Sequence, residues 1–369
     1  MLPSGERLAA VALWCVPGVT RQRLEALRER FGTLAEALSQ PAAALAAAGL
    51  PEAVAARVAG GEAAAAGERA LGQCERMGAR VLVAGELGWP EAFDRVPSPP
   101  MAVFAVGRPF PWPAAAIVGA RRADAYGLER SRRLGGELAS RGVAVISGGA
   151  LGVDGAAHAG ALEARGAGTV AVLGCGVDVR YPPEHARLLD RIAAEGTLVS
   201  ELPPGTEPLA IHFPRRNRLI AALAGAVVVV RAAARSGALE TARRGEALGL
   251  PLLSVPGPAG DPLSAGTLGL LRQGALLCEG AEDVLAALAV PRGSVAAPAP
   301  RAPEPRGPPA SPAARALLGL LGAVPASADD LGRVSGLPAS ELSAALALLE
   351  LDGLAIRRPG NFFEKAAGI

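Results

Sequence analysis

The sequence predicts an α/β protein, an extended Rossmann-like parallel sheet with a helical domain before it and a winged-helix-like domain after it. Three observations carry this. From Ala114 onward, short apolar runs alternate with helix-length segments, the pattern of parallel strands covered by helices on both faces. Residues 6 to about 75 read as helix almost throughout, and residues 313–369 outline three helices and a hairpin. A chain of 369 residues accommodates several domains and a large core. The expected divisions are a helical domain over 1–78, the Rossmann-like domain over 79–290, a linker over 291–312 and the winged-helix-like domain over 313–369.

Composition narrows the possibilities. Apolar residues make up 50% of the chain but aromatics only 3%, so cores must be built from Ala, Leu and Val, and each Phe outside an apolar run becomes informative. Lys365 is the only lysine, so arginine supplies nearly all the positive charge, and the formal net charge is only +2. Cys15, Cys74, Cys175 and Cys278 are far apart with no Cys-x-x-Cys pair, which indicates neither a zinc ribbon nor a disulfide framework. The N-terminus lacks the basic-then-apolar order of a signal peptide, and no uncharged apolar run reaches membrane-spanning length. The expectation is a soluble cytoplasmic protein with reduced thiols, no membrane insertion, no metal and no cofactor.

In the N-terminal region the helical pattern breaks at Val16–Thr20, Phe31-Gly32 and Gly49–Pro51. Helix, Pro-Gly hairpin, helix outlines a helix-hairpin-helix or sterile-alpha-motif-like unit, whose hairpin can offer N–H groups to a DNA phosphate. The hairpin lacks a second glycine for close backbone approach, which favours a plain helical bundle. Residues 79–113 read as a Pro-rich strand-and-turn connection.

The expected parallel strands are Ala116–Gly119, Val143–Ser147, Thr169–Leu173, Thr197–Ser200, Ala226–Val230, Leu252–Val255 and Ala275–Leu277. Ligands in such sheets bind beyond the carboxyl ends of the strands. The first strand is followed by Gly119-Ala-Arg121, the second by the glycine-rich turn Ser147-Gly-Gly-Ala-Leu-Gly-Val-Asp154. That turn is a candidate anion-binding concavity. Gly174-Cys-Gly176 lacks the third glycine of a dinucleotide fingerprint, and no P-loop occurs. Asp154 and His158, four apart on one helix face, are read as a local hydrogen-bonded pair rather than as metal ligands. Ser147 and Ser236 sit outside any Gly-x-Ser-x-Gly context and are assigned turn and helix-start roles.

The densest signal is His212-Phe-Pro-Arg-Arg-Asn-Arg218. Five arginines and no acid lie between Arg215 and Arg235. Pro214 suits a helix start, so a helix is expected from about Arg215, with Leu219, Ile220 and Leu223 inward. Arg215, Arg216, Asn217 and Arg218 would then occupy the first turn, where free N–H groups and the dipole favour an anion. A bound phosphate would pair with these arginines and accept from the amides together. The competing reading is an arginine cluster paired with acids elsewhere.

Eight prolines between 291 and 312 describe an extended linker. Beyond it, helices are expected at Ala313–Leu321, Ser327–Val334 and Pro338–Leu351, with a hairpin from Leu354–Arg358 to Phe362–Glu364. The third helix exposes Ser340, Glu341, Ser343 and Glu350, a face that phosphate would repel, so a protein-contact or packing role is expected.

Taken together, Ile117-Val-Gly-Ala-Arg121 with Tyr126-Gly127, Ser147-Gly148 with Gly152-Val-Asp154 and His158, Tyr181-Pro182, Ser200-Glu201, Phe213–Arg218, Ser236-Gly237 with Thr241-Ala242, and Pro256-Gly257 resemble the DNA processing protein A (Smf) family of bacterial natural transformation. The resemblance covers roughly residues 80–288. It implies a non-enzymatic protein that binds single-stranded DNA through an extended Rossmann domain, forms a homodimer through that domain and loads the RecA recombinase. It places the DNA site on Gly119, Arg121, Ser147, Gly148, Phe213, Arg215, Arg216, Asn217 and Arg218. Three positions depart from the family pattern: Gly149 in place of Leu, Arg231 in place of an acid and Thr267 in place of Asn. Arg231 either widens the positive surface or removes an ion pair. The rival reading is a lysine-decarboxylase-like phosphoribohydrolase, with Glu240 as its acid, but Arg235–Thr241 lacks that family's double glycine.

Overall fold

The computed structural model describes residues 3–289, 311–322, 326–351, 354–358 and 360–365. These fall into two compact units, divided near residue 297. All but the last two residues of the Pro-rich linker, 291–312, lie outside the described residues.

The first unit opens with six helices, Ser4–Trp14, Arg21–Phe31, Leu34–Leu38, Ala42–Ala47, Glu52–Ala59 and Glu62–Met77. Their breaks are chemically marked. Thr20 and Thr33 cap the second and third helices by accepting from Arg23 N and Glu36 N. Glu6, nearly buried, accepts from Leu34 N at 2.7 Å and pairs with Arg28 at 2.8 Å, which fixes the first helix against the start of the third. Gly67 sits on Ala12, where a Cβ would come within 2.8 Å, so the first and last helices of the group touch backbone to backbone. The helices share a core with the sheet, and Trp14 Nε1 donates to Glu201 O at 2.9 Å.

The sheet has nine strands: β1 Arg80–Val83, β2 Ala102–Gly107, β3 Ala114–Gly119, β4 Ala144–Ser147, β5 Thr169–Val172, β6 Thr197–Ser200, β7 Ala226–Val230, β8 Leu252–Ser254 and β9 Leu276–Leu277. Their order is β1-β2-β6-β5-β4-β3-β7-β8-β9. The seven expected strands appear within two residues of their predicted bounds and pair in parallel. The connection before them adds two more, β1 and β2, which join antiparallel and make the sheet mixed. The central strands are buried at every position, which explains their uninterrupted Val, Ala and Ile.

From β3 the chain winds outward through β4, β5 and β6, then returns to pair β7 with the other side of β3. The switch point of the topology therefore lies between β3 and β7, where ligand clefts open in such sheets. Gly119 ends β3 so close to β7 that a Cβ would meet Val230 O at 1.9 Å. Helices Ala125–Ser140 and Val153–Glu163 pack equally closely, through Gly135 against Ala157 O and Gly160 against Arg132 O. With few aromatics, glycine and alanine close the layers that larger side chains fill elsewhere.

The second unit has helices Pro312–Leu320, Ala328–Ser335 and Ala339–Leu351 and a small sheet, β10 Ala326–Ser327, β11 Ala355–Arg358 and β12 Phe362–Lys365, in the order β10-β12-β11. Leu317, Leu331, Leu346, Leu349 and Phe363 form its core. This is the winged-helix arrangement expected, with one short strand added. Ser340, Glu341, Ser343 and Glu350 are exposed. Among the described residues no helix is long and apolar enough to cross a membrane.

The expected Asp154–His158 hydrogen bond is absent. His158 is fully buried under the sheet, with Nδ1 2.7 Å from Thr169 Oγ1, which itself donates to Val145 O. Nδ1 must therefore carry the proton, and Nε2 has no partner among the described residues. Burial, then His185 and Arg216 nearby, push its pKa down to about 3 from 6.5. Because the unfolded chain binds that proton and the folded chain does not, stability contributed by neutral His158 is complete above pH 6.5 and falls as pH drops toward 3. Between pH 6.5 and 5 the loss is about 2 kcal/mol. Urea unfolding at pH 7 and pH 5 should show a drop smaller by about that amount in His158→Gln; equal drops would show that the ring is not held neutral.

Candidate functional site

A cleft of about 580 Å³ opens at the carboxyl ends of the strands beside the β3/β7 switch point. Its lining comes from five connections: Gly119 and Arg121 at the end of β3, Ala150 and Asp154 after β4, Tyr181 after β5, Phe213, Arg216 and Asn217 after β6, and Ser236, Gly237, Ala238, Glu240 and Thr241 after β7. Residues as remote in sequence as Gly119 and Thr241 thus meet because parallel winding brings every such turn to one edge of the sheet.

The helix carrying the arginine run spans His212–Ala222, three residues longer at its start than expected. Pro214 occupies its third position, still within the turn where a missing N–H is harmless. Arg215 through Arg218 consequently follow the first turn rather than form it. Helical rotation then separates them, since successive residues lie about 100° apart.

Arg216 turns inward and is only 4% exposed. Its Nη1 donates to Gly148 O at 2.7 Å and to Val172 O, and Nε donates to Asn217 Oδ1 at 3.3 Å. Burial lowers its pKa to about 10, with Asp154 opposing the shift and Arg121 adding to it, so it stays charged at neutral pH. Asp154 is the counter-charge. Its Oδ2 accepts from Gly148 N at 3.1 Å and Ala150 N at 3.4 Å. Burial raises its pKa, and Arg216 and the two amides work against that rise. The glycine-rich turn expected to cradle an external anion therefore cradles the chain's own carboxylate.

Phe213 is half-buried. Its ring centroid lies 5.5 Å from that of Tyr181, with Arg121 Cζ at 5.5 Å and Arg216 Cζ at 6.0 Å from its centre. Gly174 lies against it, where a Cβ would approach to 2.9 Å. Arg121 is exposed at the rim and makes no ion pair among the described residues. Arg215 is likewise exposed and unpaired among them, but it stands outside the cleft lining.

The structure does not bring the remaining predicted residues to the cleft surface. Ser147 is fully buried and its Oγ donates to Ile117 O at 2.6 Å, so it braces β4 on β3 instead of starting a helix. Gly148 lies beneath Arg216, and its N–H is taken by Asp154. Arg218 faces a different cleft and is held by Glu201 through two bonds, at 3.0 and 2.6 Å, and by Pro97 O and Ser98 O. For Arg218 the pairing with an acid elsewhere is the arrangement found. Arg231 does not widen the positive surface. It is 3% exposed, with Nη2 2.7 Å from Asp124 Oδ2 and paired also to Asp261, tying the helix start after β3 to the loop after β8. Ser236 does serve a turn, its Oγ accepting from Ala238 N.

Tyr181 lines the cleft, although sequence reasoning assigned it no site role. Its signal was its place, an aromatic just past the carboxyl end of β5 in a chain with two tyrosines.

Residues 80–289 match the family described as DNA recombination-mediator protein A, and residues 297–361 match the DprA winged helix domain. The chain belongs to the DNA recombination-mediator protein A family. A relative from Mycobacterium tuberculosis bearing the DprA name is 45% identical over 256 residues, which is 69% of this chain and 65% of the relative. Among solved structures, DNA processing protein A from Streptococcus pneumoniae superposes with a TM-score of 0.66 at 28% identity, covering 78% of this chain and 98% of that one. The same protein from Helicobacter pylori, described for its single-stranded DNA binding mode, gives 0.52 at 31% identity, covering 57% and 95%. The family is one of recombination mediators.

Replacing Gly148 by Ala would place a Cβ 2.5 Å from Arg216 Nη2 and 2.7 Å from its Cζ. The guanidinium must then leave Gly148 O, and a loss of about 1–3 kcal/mol is expected. A denaturant midpoint that falls at constant slope would register it; an unchanged midpoint would show that Arg216 is not seated there.

Proposed function

We propose that this chain is a non-enzymatic recombination mediator whose cleft at the β3/β7 switch point holds single-stranded DNA. The observation carrying the reading is the convergence of Arg121, Phe213 and Arg216 at one edge of the sheet, with Tyr181 beside them. Arg121 offers its guanidinium, free of any ion pair among the described residues, to a phosphate, while Arg216, buried against Asp154, holds the turn after β4 in place through Gly148 O. Phe213 and Tyr181 offer π faces on which a base stacks without being identified. Binding of this kind is tolerant of sequence and sensitive to salt. The Helicobacter pylori relative's single-stranded DNA binding mode supports the assignment.

Family membership supports the rest of the proposal: a cytoplasmic homodimer formed through the sheet domain that passes its strand to the RecA recombinase. Glu240, the acid a phosphoribohydrolase would need, is engaged by Arg243 at 2.8 Å and Arg244 at 2.7 Å. It is spoken for within its own helix.

Affinity for labelled oligo-dT and for a duplex of equal length, measured across a salt titration, tests the reading. The expected result is a preference for the single strand. Arg121→Ala should weaken binding and flatten the dependence of log K on log salt by about 0.7 for each phosphate it no longer neutralises. No binding of oligo-dT at low salt would overturn the proposal.

A further inference from the structure

A second cleft borders the same pair of helices as the first. Helices His212–Ala222 and Ala238–Ala247 line the first cleft with Phe213, Asn217, Ala238 and Thr241. The second cleft, of about 360 Å³, is lined further along by Arg218, Arg244 and Leu248, and is closed by Arg95, Val96 and Pro97 from the connection between β1 and β2. Three of its lining residues are arginines, and no acid lines it.

The arginines lining this cleft differ in how far they are compensated. Arg218 is neutralised by Glu201 and forms a wall. Arg243 and Arg244 share the one carboxylate of Glu240. Arg244 Nε, shut off from solvent, meets no acceptor among the described residues. Arg95 is exposed and has no partner among them, because its neighbour Asp94 is taken by Arg21 and by Trp89 Nε1 at 3.1 Å. One unpaired guanidinium and one half-compensated guanidinium thus face a groove with an aliphatic floor. This arrangement suits a phosphate attached to a less polar sugar.

From Thr241 to Arg244 is three residues of helix, about 4.5 Å of rise. The linings of the two clefts therefore adjoin along this helix. We propose that the Arg95–Arg244 cleft is a second phosphodiester-binding subsite, which takes the backbone of the same single strand after it leaves the Phe213 cleft. The inference rests on the strand-binding reading of the first cleft.

The test uses the full chain, Arg95→Ala, Arg244→Ala and Arg121→Ala, with oligo-dT of about 5 and about 20 nucleotides. Arg95→Ala, at an exposed and unpaired position, should leave the short oligonucleotide's affinity unchanged. It should weaken the long one several-fold and flatten its salt slope by about 0.7. Arg244→Ala should act in the same direction, and Arg121→Ala should weaken both lengths. If Arg121→Ala weakens both while neither second-cleft variant affects the long strand, this inference fails and the first reading stands. If the unaltered chain binds neither length, both fail. A thermal shift with inorganic phosphate that Arg95→Ala abolishes, with both oligonucleotide affinities unchanged, would mean that the cleft takes a free anion and would overturn the strand path.

Discussion

The site depends on keeping the Arg216 guanidinium charged inside the protein. A buried charge is tolerated only when it is paired and hydrogen-bonded, since an isolated ion carries a desolvation cost of several kcal/mol even after relaxation. Asp154 supplies the counter-charge, and Gly148 O and Val172 O take its donors. Burial raises the pKa of Asp154, and Arg216 and the amides of Gly148 and Ala150 oppose that rise. The pair and the glycine-rich turn form one closed unit. Glycine at 148 is demanded by the guanidinium lying on it, and Gly152, at φ +78°, is demanded by the carbonyls of Ala120 and Arg121. The turn after β4 is thereby locked to the turn after β3, which carries Arg121.

The fold converts this lock into a cleft. Parallel winding from β3 outward and back to β7 leaves a gap at the carboxyl edge, and the lining residues arrive there because each follows a strand. Close packing through Gly119, Gly135 and Gly160 replaces the bulk that aromatics would give, so the few aromatics present are free for other places. Phe213 and Tyr181 occupy the cleft, whereas Phe93 and Phe104 fill the core.

Period and run length made the sheet legible from sequence. An unbroken apolar run such as Ala226–Val230 has one good explanation, a strand buried on both faces, and all seven expected strands pair in parallel, although β9 at the sheet edge is exposed. The antiparallel strands β1 and β2 were harder to separate because Pro-rich turns interrupt them. Arginine partnership was not legible, since it is set by residues remote in sequence. Arg218 meets Glu201 and Pro97, and Arg231 meets Asp124 and Asp261, and no local pattern announces either. The helix start was misjudged for a related reason. Proline is acceptable anywhere in a first turn, so Pro214 marked the turn without marking its first residue, and a three-residue shift redistributed the following arginines around the helix.

That redistribution separates two kinds of arginine. Of the five between Arg215 and Arg235, Arg216, Arg218 and Arg231 are compensated by Asp154, Glu201, and Asp124 with Asp261. The field the sequence advertises is largely cancelled within the fold. Arg215 and Arg235 remain unpaired among the described residues, and Arg121, outside the run, joins them. A compensated, buried guanidinium cannot gain much from a ligand phosphate, because its donors are already occupied and its position is fixed. An exposed, unpaired one gains the charge-assisted bond and releases counterions from the strand. Buried arginines therefore set where the aromatic rings and turns stand, while rim arginines set how tightly a polyanion is held. The two properties rest on different residues, and the geometry of the cleft is insulated from salt even where affinity is not.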